Sequence, residues 1–187
     1  MKELDYLAEH KYYFKLHMCG CYPFTEEFLE KNKENLNWNY LSVNENLPWS
    51  IKFIEKFQDK WAWSWLSGNE TLPWSEELIE RYIDRWVFGA LTQREDGSIT
   101  CSDGLSDNPG LPWSPELIRK YESKWNWLTL SYSESIPWSV NILREFENRW
   151  NWNDMVWNET MWQKVFYPLL NDEIIAELMT DDEELMQ

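Results

Sequence analysis

Residues 72–86, LPWSEELIERYIDRW, carry the pattern on which the rest of the chain is built. Its opening, a proline followed by an aromatic and a hydroxyl residue, occurs five times, at Pro23, Pro48, Pro73, Pro112 and Pro137. Successive prolines are 25 residues apart, except that 39 residues separate Pro73 from Pro112. Self-similarity at a fixed period indicates a repeat architecture. The chain therefore contains five 25-residue units, with 14 extra residues in the third.

Each unit encodes a helix with one apolar face. The hydroxyl residue after the aromatic is a helix N-cap, because its side-chain oxygen can accept from a free first-turn N–H. In the third unit Leu78, Ile79, Tyr82 and Trp86 stand at spacings of 0, 1, 4 and 8, which lie on one helical face. The pattern predicts a first helix of about three turns. The predicted caps are Thr25, Ser50, Ser75, Ser114 and Ser139.

A shorter element follows each helix. A second aromatic stands two residues beyond the helix-end position, and in most units a Leu-Ser pair comes next. This segment predicts one short helical turn, capped in the first unit by Asn37. Asn44, Asn69 and Asn108 then mark the turn that leads to the next proline.

Such a unit cannot bury its own apolar face, whereas stacked copies can, and this predicts a solenoid. The predicted fold class is all-α: a short α-solenoid of about five 25-residue repeats with terminal caps and one inserted hairpin or loop. We expect a single domain, 1–187. Its parts are an N-terminal cap (1–21), repeats (22–162) with an insertion near 89–104, and a C-terminal cap helix with an acidic tail (163–187). Asn171 is the predicted cap of a last helix, from Asp172 to Met179.

Tryptophan is the unusual residue of the composition, with 15 copies. Twelve of them occupy three repeat positions: after the proline, at the helix end, and two residues later. Periodic placement predicts packing within and between repeats, where aromatic side chains bury large areas. Trp65, Trp157 and Trp162 fall outside the pattern. We take Trp65 and Trp157 as candidates for contact with a partner.

Two further segments are candidate partner-binding sites. In the insertion, Asp96-Gly97 lies between short alternating runs, which predicts a hairpin. Insertions in repeat proteins often project from the binding face, so Arg94, Glu95 and Asp96 are candidates, although a passive loop explains them equally well. The acidic tail contains Asp181, Asp182, Glu183 and Glu184. This tail is either a solvated chain end or a segment that attracts a basic groove of a partner electrostatically.

The formal net charge of −16, from 33 acidic and 17 basic residues, bounds the function. Binding to a nucleic-acid backbone requires clustered Lys and Arg, and binding to an anionic membrane also requires positive charge. We therefore expect neither, and the charge favours a protein partner with a basic surface. A simpler interpretation is that the acidity only keeps a Trp-rich protein in solution.

Metal, cofactor and catalytic signals are weak. His10, His17, Cys19 and Cys21 are residue types that suit zinc, but the usual two-residue gap between the cysteines is absent. We expect no metal and no cofactor. No Walker, GxGxxG, HExxH or nucleophile-elbow motif is present, so we do not expect an enzyme. With no signal peptide and three cysteines, the predicted location is the cytoplasm, with free thiols.

The unit WxWxxLSxNxxLPWSxxLIxxYxx(K/R)W resembles Trp-rich repeats of bacterial proteins and is more distantly similar to Trp/Asn-rich repeats of giant viruses. The similar part runs from residue 22 to about 162. The resemblance implies a repeat architecture and brings no catalytic or binding residue with it.

The functional hypothesis is a non-catalytic protein that binds and inhibits a basic enzyme acting on nucleic acid. Small acidic cytosolic proteins include toxin antidotes and anti-CRISPR proteins, and the hypothesis rests on analogy with that class. The alternative is a general protein- or peptide-binding scaffold. A carbohydrate binder is a third possibility, because repeated tryptophans can stack on sugars.

Overall fold

The computed structural model describes residues 8–89, 91–93, 99–101 and 104–179. The fold is an all-α repeat array with one two-stranded hairpin in the insertion, as the sequence predicted. We number the repeats 1 to 5 from their prolines. Their first helices are Glu26–Asn32, Ile51–Lys56, Glu76–Arg81, Pro115–Lys120 and Val140–Glu145. Their second elements are the helices Trp38–Ser42, Trp63–Leu66, Trp127–Tyr132 and Trp152–Met155 and, in repeat 3, the 3₁₀ turn Leu105–Asp107.

The first helices begin as the sequence predicted. The N–H of Trp74 donates to the carbonyl of Leu72 across Pro73 (2.7 Å), which closes a tight turn before the helix. The Ser75 hydroxyl then accepts from the N–H of Leu78 (3.2 Å). The caps of the other four repeats make the equivalent hydrogen bond, at Thr25, Ser50, Ser114 and Ser139.

The first helices are shorter than predicted, at six or seven residues instead of three full turns. In repeat 2 the indole N–H of Trp61 donates to the carbonyl of Ile54 (3.0 Å). That carbonyl would otherwise accept from the N–H of Gln58, which bonds instead to Glu55 O. Trp125 makes the same contact with Ile118 O in repeat 4 (2.9 Å). There too a tryptophan side chain takes a carbonyl that a longer helix would use.

Tryptophan rings join neighbouring repeats. The ring centroid of Trp63, in repeat 2, lies 4.8 Å from those of Tyr82 and Trp86 in repeat 3, and Trp86 also contacts Trp74 (4.9 Å). Of the twelve periodic tryptophans, eleven are buried in the core or packed against it, as predicted. Trp152, in repeat 5, is the exception, with 45% of its surface exposed.

Buried asparagines connect the repeats through backbone carbonyls. The Asn69 amide donates to the Ser42 carbonyl of the preceding repeat (3.0 Å), and its oxygen accepts from the N–H of Thr71 (3.0 Å). Equivalent asparagines donate backwards in the same way at Asn44, Asn108 and Asn158. We call these four residues the asparagine staples. Ser133 stands at the equivalent place in repeat 4 and has no amide to donate.

The insertion enters and leaves the array at one point. The N–H of Leu105 donates to Val87 O (2.8 Å) and that of Ser106 to Phe88 O (3.1 Å). Between them, strands Leu91–Gln93 and Ile99–Cys101 pair antiparallel, so the predicted hairpin is confirmed, although Asp96-Gly97 lies outside the described residues. Gly89 has a positive φ of 117°. A Cβ on Gly104 would stand 2.6 Å from Val87 O, so this closure requires glycine.

Helices also occupy both ends of the array. The N-terminal helix is Lys11–Cys21, a segment whose sequence is compatible with a helix or a strand. After repeat 5 come the short helix Glu159–Met161, a π turn at Trp162–Phe166 and a 3₁₀ turn at Tyr167–Leu169. The C-terminal helix is Asp172–Leu178, capped by Asn171 as predicted.

Candidate protein-binding surface

Acidic residues recur along the array on two surfaces. We call the exposed faces of the five first helices, with the turns that end them, the ridge. The turn edge consists of the segments that join each second element to the next repeat: 43–46, 68–71, 107–110, 132–135 and 157–160. The staples or Ser133 lie within these segments, so the turn edge rests directly on buried hydrogen bonds.

On the ridge, acidic residues form ion pairs with basic residues of the neighbouring repeat. The Lys56 ammonium lies 2.7 Å from a Glu26 carboxylate oxygen, and this hydrogen bond raises the pKa of Lys56. Hydrogen bonding to Glu76 raises the pKa of Lys120 in the same way. Further pairs between repeats are Lys60–Glu34, Arg81–Glu55, Arg85–Asp59, Arg119–Glu145 and Arg149–Glu122. The ridge therefore neutralises much of its own charge.

On the turn edge, one glutamate directly follows the staple position in four repeats. These residues are Glu45, Glu70, Glu134 and Glu159, and all are exposed. None of the four forms an ion pair with a basic residue in the part of the chain that the structure describes. In repeat 3 the equivalent residue is Pro109, and the exposed carboxylate there is Asp107. The turn edge is thus a column of carboxylates on a backbone that buried hydrogen bonds hold in place.

Aromatic side chains extend this column at its C-terminal end. Trp157 is 79% exposed and Tyr132 is 46% exposed, and each directly precedes a staple position. The amide of Asn158 donates to the carbonyl of Ser133 (3.2 Å), so the backbones that carry the two aromatics are adjacent. The turn edge therefore presents negative charge together with flat apolar surface.

Two of the predicted partner-binding residues, Trp65 and Trp157, are described, and they lie on different parts of the array. Trp65 is 45% exposed and its ring packs against Tyr40 of the preceding repeat (6.0 Å), on the second helices. Trp157 lies three repeats further along, on the turn edge. The other candidates fall outside the described residues: Arg94, Glu95, Asp96, Asp181, Asp182, Glu183 and Glu184.

Sequence reasoning missed the glutamates of the turn edge, although a signal was present. Glu45 and Glu70 are separated by one period of 25 residues, and so are Glu134 and Glu159. Glu45 and Glu70 directly follow Asn44 and Asn69, which the sequence identified only as turn markers. These periodic glutamates have no basic residue at the equivalent position of a neighbouring repeat. That pattern could have identified them as part of a candidate binding surface.

The cysteines and histidines near the N-terminus show limited contact. Cys19 and Cys21 are both free cysteines; Cys19 is buried, and the exposed Cys21 sulfur lies 3.4 Å from His17 Nε2. Within the described residues, no three His, Cys, Asp or Glu side chains come together in a way that could hold a metal ion. No described helix is both long enough and apolar enough to cross a membrane.

No protein-family model matches the chain, and neither a curated protein nor a solved structure matches it. The resemblance to Trp-rich bacterial repeats stays a prediction.

Proposed function

We propose that this chain is a non-catalytic binding protein that occupies the basic, nucleic-acid-binding surface of an enzyme and thereby inhibits it. The observation that carries the proposal is the turn edge, where four repeats present exposed carboxylates without an internal basic partner. A formal net charge of −16 supports the same kind of partner. Surfaces that bind nucleic acid are rich in Lys and Arg, so the turn edge is complementary to them in charge.

Regular spacing strengthens the attraction. Packed helices lie roughly 8–10 Å apart, which is close to the screening length of about 8 Å at physiological ionic strength. The carboxylates of neighbouring repeats therefore repel each other weakly but add their fields at a partner that spans several repeats. Complementary charge of this kind mainly increases the rate of association and makes that rate sensitive to salt.

The exposed aromatics supply a contact that charge alone does not. An Arg guanidinium can stack on an indole ring while it hydrogen-bonds to a carboxylate. Trp157, with Glu159 two residues further on, offers both groups on one turn. A basic groove rich in Arg fits this arrangement better than a neutral peptide does.

The test compares two variants of equal net charge as baits. The edge variant combines Glu45→Gln, Glu70→Gln, Glu134→Gln and Glu159→Gln. Its matched control changes four exposed acidic residues outside the turn edge that form no ion pair with any described residue: Glu9→Gln, Asp84→Asn, Glu116→Gln and Glu147→Gln. Each bait is incubated with cell lysate, and bound proteins are released by a salt gradient and identified by mass spectrometry.

We expect the unmodified chain and the control to retain a basic nucleic-acid enzyme that moderate salt releases, and the edge variant to retain much less of it. With the purified enzyme, the association rate of the edge variant should be at least about tenfold lower. Stoichiometric addition of the unmodified chain should stop the enzyme's activity on nucleic acid. Equal retention by the edge and control variants would remove the turn edge from the proposal, and full enzyme activity in the complex would remove the inhibition.

A scaffold that binds without inhibiting is the second candidate. The exposed rings of Trp157 and Trp65 favour it, because apolar contacts bind neutral partners and do not need charge. Binding that resists salt and is lost on Trp157→Ala, but not in the edge variant, would select this function.

A further inference from the structure

An open apolar groove lies at the N-terminal end of the array, between the N-terminal helix and the first helix of repeat 1. Its volume is about 680 Å³. Phe14 and Phe28 line it and are 42% and 44% exposed. Large apolar side chains at this level of exposure, side by side in a concave site, typically mark a contact with another molecule.

The repeat pattern explains the shape of this groove. In repeat 2, the ring of Trp38 from the preceding repeat packs against Phe57 (5.2 Å) and Trp61 (4.9 Å). The residues one period earlier are Asn32 and Leu36, and both line the groove. The groove therefore corresponds to the site that, in repeat 2, is filled by the Trp38 ring of the preceding repeat. The segment before Pro23 does not contain the repeat pattern, so no equivalent tryptophan precedes repeat 1.

The opposite end of the array carries an apolar helix face that stays partly exposed within the described residues. No residue of the C-terminal helix Asp172–Leu178 is buried. Ile174, Ile175, Leu178 and Met179 are 37%, 39%, 64% and 73% exposed, and their spacing places them on one face. A helix this short is marginally stable without packing partners, so contact along this face would stabilise it.

The two ends are also complementary in charge. Lys11 and Lys15 lie along the groove, and none of the described residues that line it is acidic. The C-terminal helix begins with Asp172 and Glu173 and contains no basic residue. An amphipathic helix that places its apolar face in a groove and its charges against opposite charges at the rim is a common mode of recognition.

We infer that the C-terminal helix of one copy docks into the N-terminal groove of a second copy, so that the protein assembles head to tail. The groove and the helix of a single copy are separated by the stack of five repeats, so one chain cannot make this contact with itself. Because the two surfaces differ, each added copy leaves a free groove and a free helix, and the contact forms open chains unless a ring closes. This inference does not depend on the proposed function.

The test uses one variant for each end. The groove variant combines Phe14→Glu with Lys15→Glu, and the tail variant combines Leu178→Glu with Met179→Glu. Val156→Glu, an exposed apolar residue of repeat 5 outside both surfaces, is the control. Sedimentation velocity over a wide range of concentrations measures the size of each species, and circular dichroism verifies that each variant is folded.

The unmodified chain and Val156→Glu should form species larger than dimers that grow with concentration. Each end variant alone should remain monomeric at every concentration at which the unmodified chain associates. The mixture of the two variants is decisive, because one intact helix and one intact groove remain, and it should form a 1:1 dimer that grows no further. A monomeric unmodified chain, a variant that still self-associates, or a mixture of folded variants that stays monomeric would each overturn the inference.

Discussion

The ridge and the turn edge both repeat acidic residues along the array, but they differ in their partners. Ridge carboxylates form ion pairs with neighbouring repeats, whereas the four turn-edge glutamates form none within the described residues. On the ridge, a basic residue in the neighbouring repeat lies within reach, as Lys56 does for Glu26. On the turn edge, Glu70 shares a pocket with Val43 and Asp107, and no described residue brings a cation to it. Whether a periodic carboxylate stabilises the array or faces a partner thus depends on the residue one repeat away.

The two surfaces also differ in what holds them. Exposed ion pairs such as those of the ridge contribute little to stability and weaken with salt. The turn edge rests on staples that are nearly or completely buried, such as Asn44 (0% exposed) and Asn69 (3%). Removing a buried hydrogen-bonding group leaves its partners unsatisfied, which costs far more. The surface proposed to bind is therefore the more rigidly built of the two.

The largest effect is expected from breaking a staple. Asn69→Ala removes the donor to Ser42 O and the acceptor of the Thr71 N–H. Because Ser42 is fully buried, its carbonyl would be left unsatisfied, and the free energy of unfolding should fall by about 2–3 kcal/mol. Urea unfolding measures it, with the exposed Asn39→Ala as the control. A loss no greater than that of the control would show that the staples do not hold the turn edge.

A smaller effect of opposite sign is expected where the staple is missing. Ser133→Asn supplies an amide at the position where asparagines of other repeats reach back to the preceding repeat. The new donor should bond to Ser106 O or Asn108 O and raise the free energy of unfolding by about 1 kcal/mol. The same urea experiment tests this change against Ser133→Ala. Destabilisation by Ser133→Asn would mean that repeat 4 is packed differently from its neighbours.

The smallest effect on stability is expected when a ridge ion pair is broken by lowering the pH. Hydrogen bonding from Lys33 lowers the pKa of Glu30 below its ordinary value of 4.5. Its ion pair therefore contributes stability above pH 4.5, and that contribution is lost as the pH falls through the lowered value. Glu30→Gln should flatten the dependence of stability on pH in this acidic range. The difference from the unmodified chain should vanish in about 1 M salt, where screening acts over about 3 Å; an undiminished difference would exclude the ion pair as its cause.

The sequence predicted the array well because its signals are local. Caps such as Ser75 and Asn171 need only the next three residues, and apolar spacing needs only one helix. The length of the first helices was predicted wrongly because the side chain of Trp61 competes with the backbone for a carbonyl, which spacing does not show. Asn69 was expected only at a turn, because its carbonyl acceptors lie in another repeat.

The candidate site was harder to predict because exposure depends on the stack. Trp152 follows the same pattern as the buried tryptophans, yet it is 45% exposed. Phe146 and Trp150 cover Trp127, but the residues one period after them are Asn171 and Ile175, which are not aromatic. Glu45 looks like any acidic turn residue until the ion pairs of the ridge are known. The role of a periodic carboxylate can be assigned only when the residues that lie near it in the folded array are known.

The insertion bears on how this protein could be extended. Asn108 contacts Asn69 across 39 residues just as Asn69 contacts Asn44 across 25, so the stack is the same with the extra residues as without them. Closing the longer loop costs only about 0.4 kcal/mol more. The insertion begins and ends at the hydrogen-bonded backbone of Val87 and Leu105, next to Gly104. A foreign domain could therefore be inserted between these residues without changing the register of the repeats.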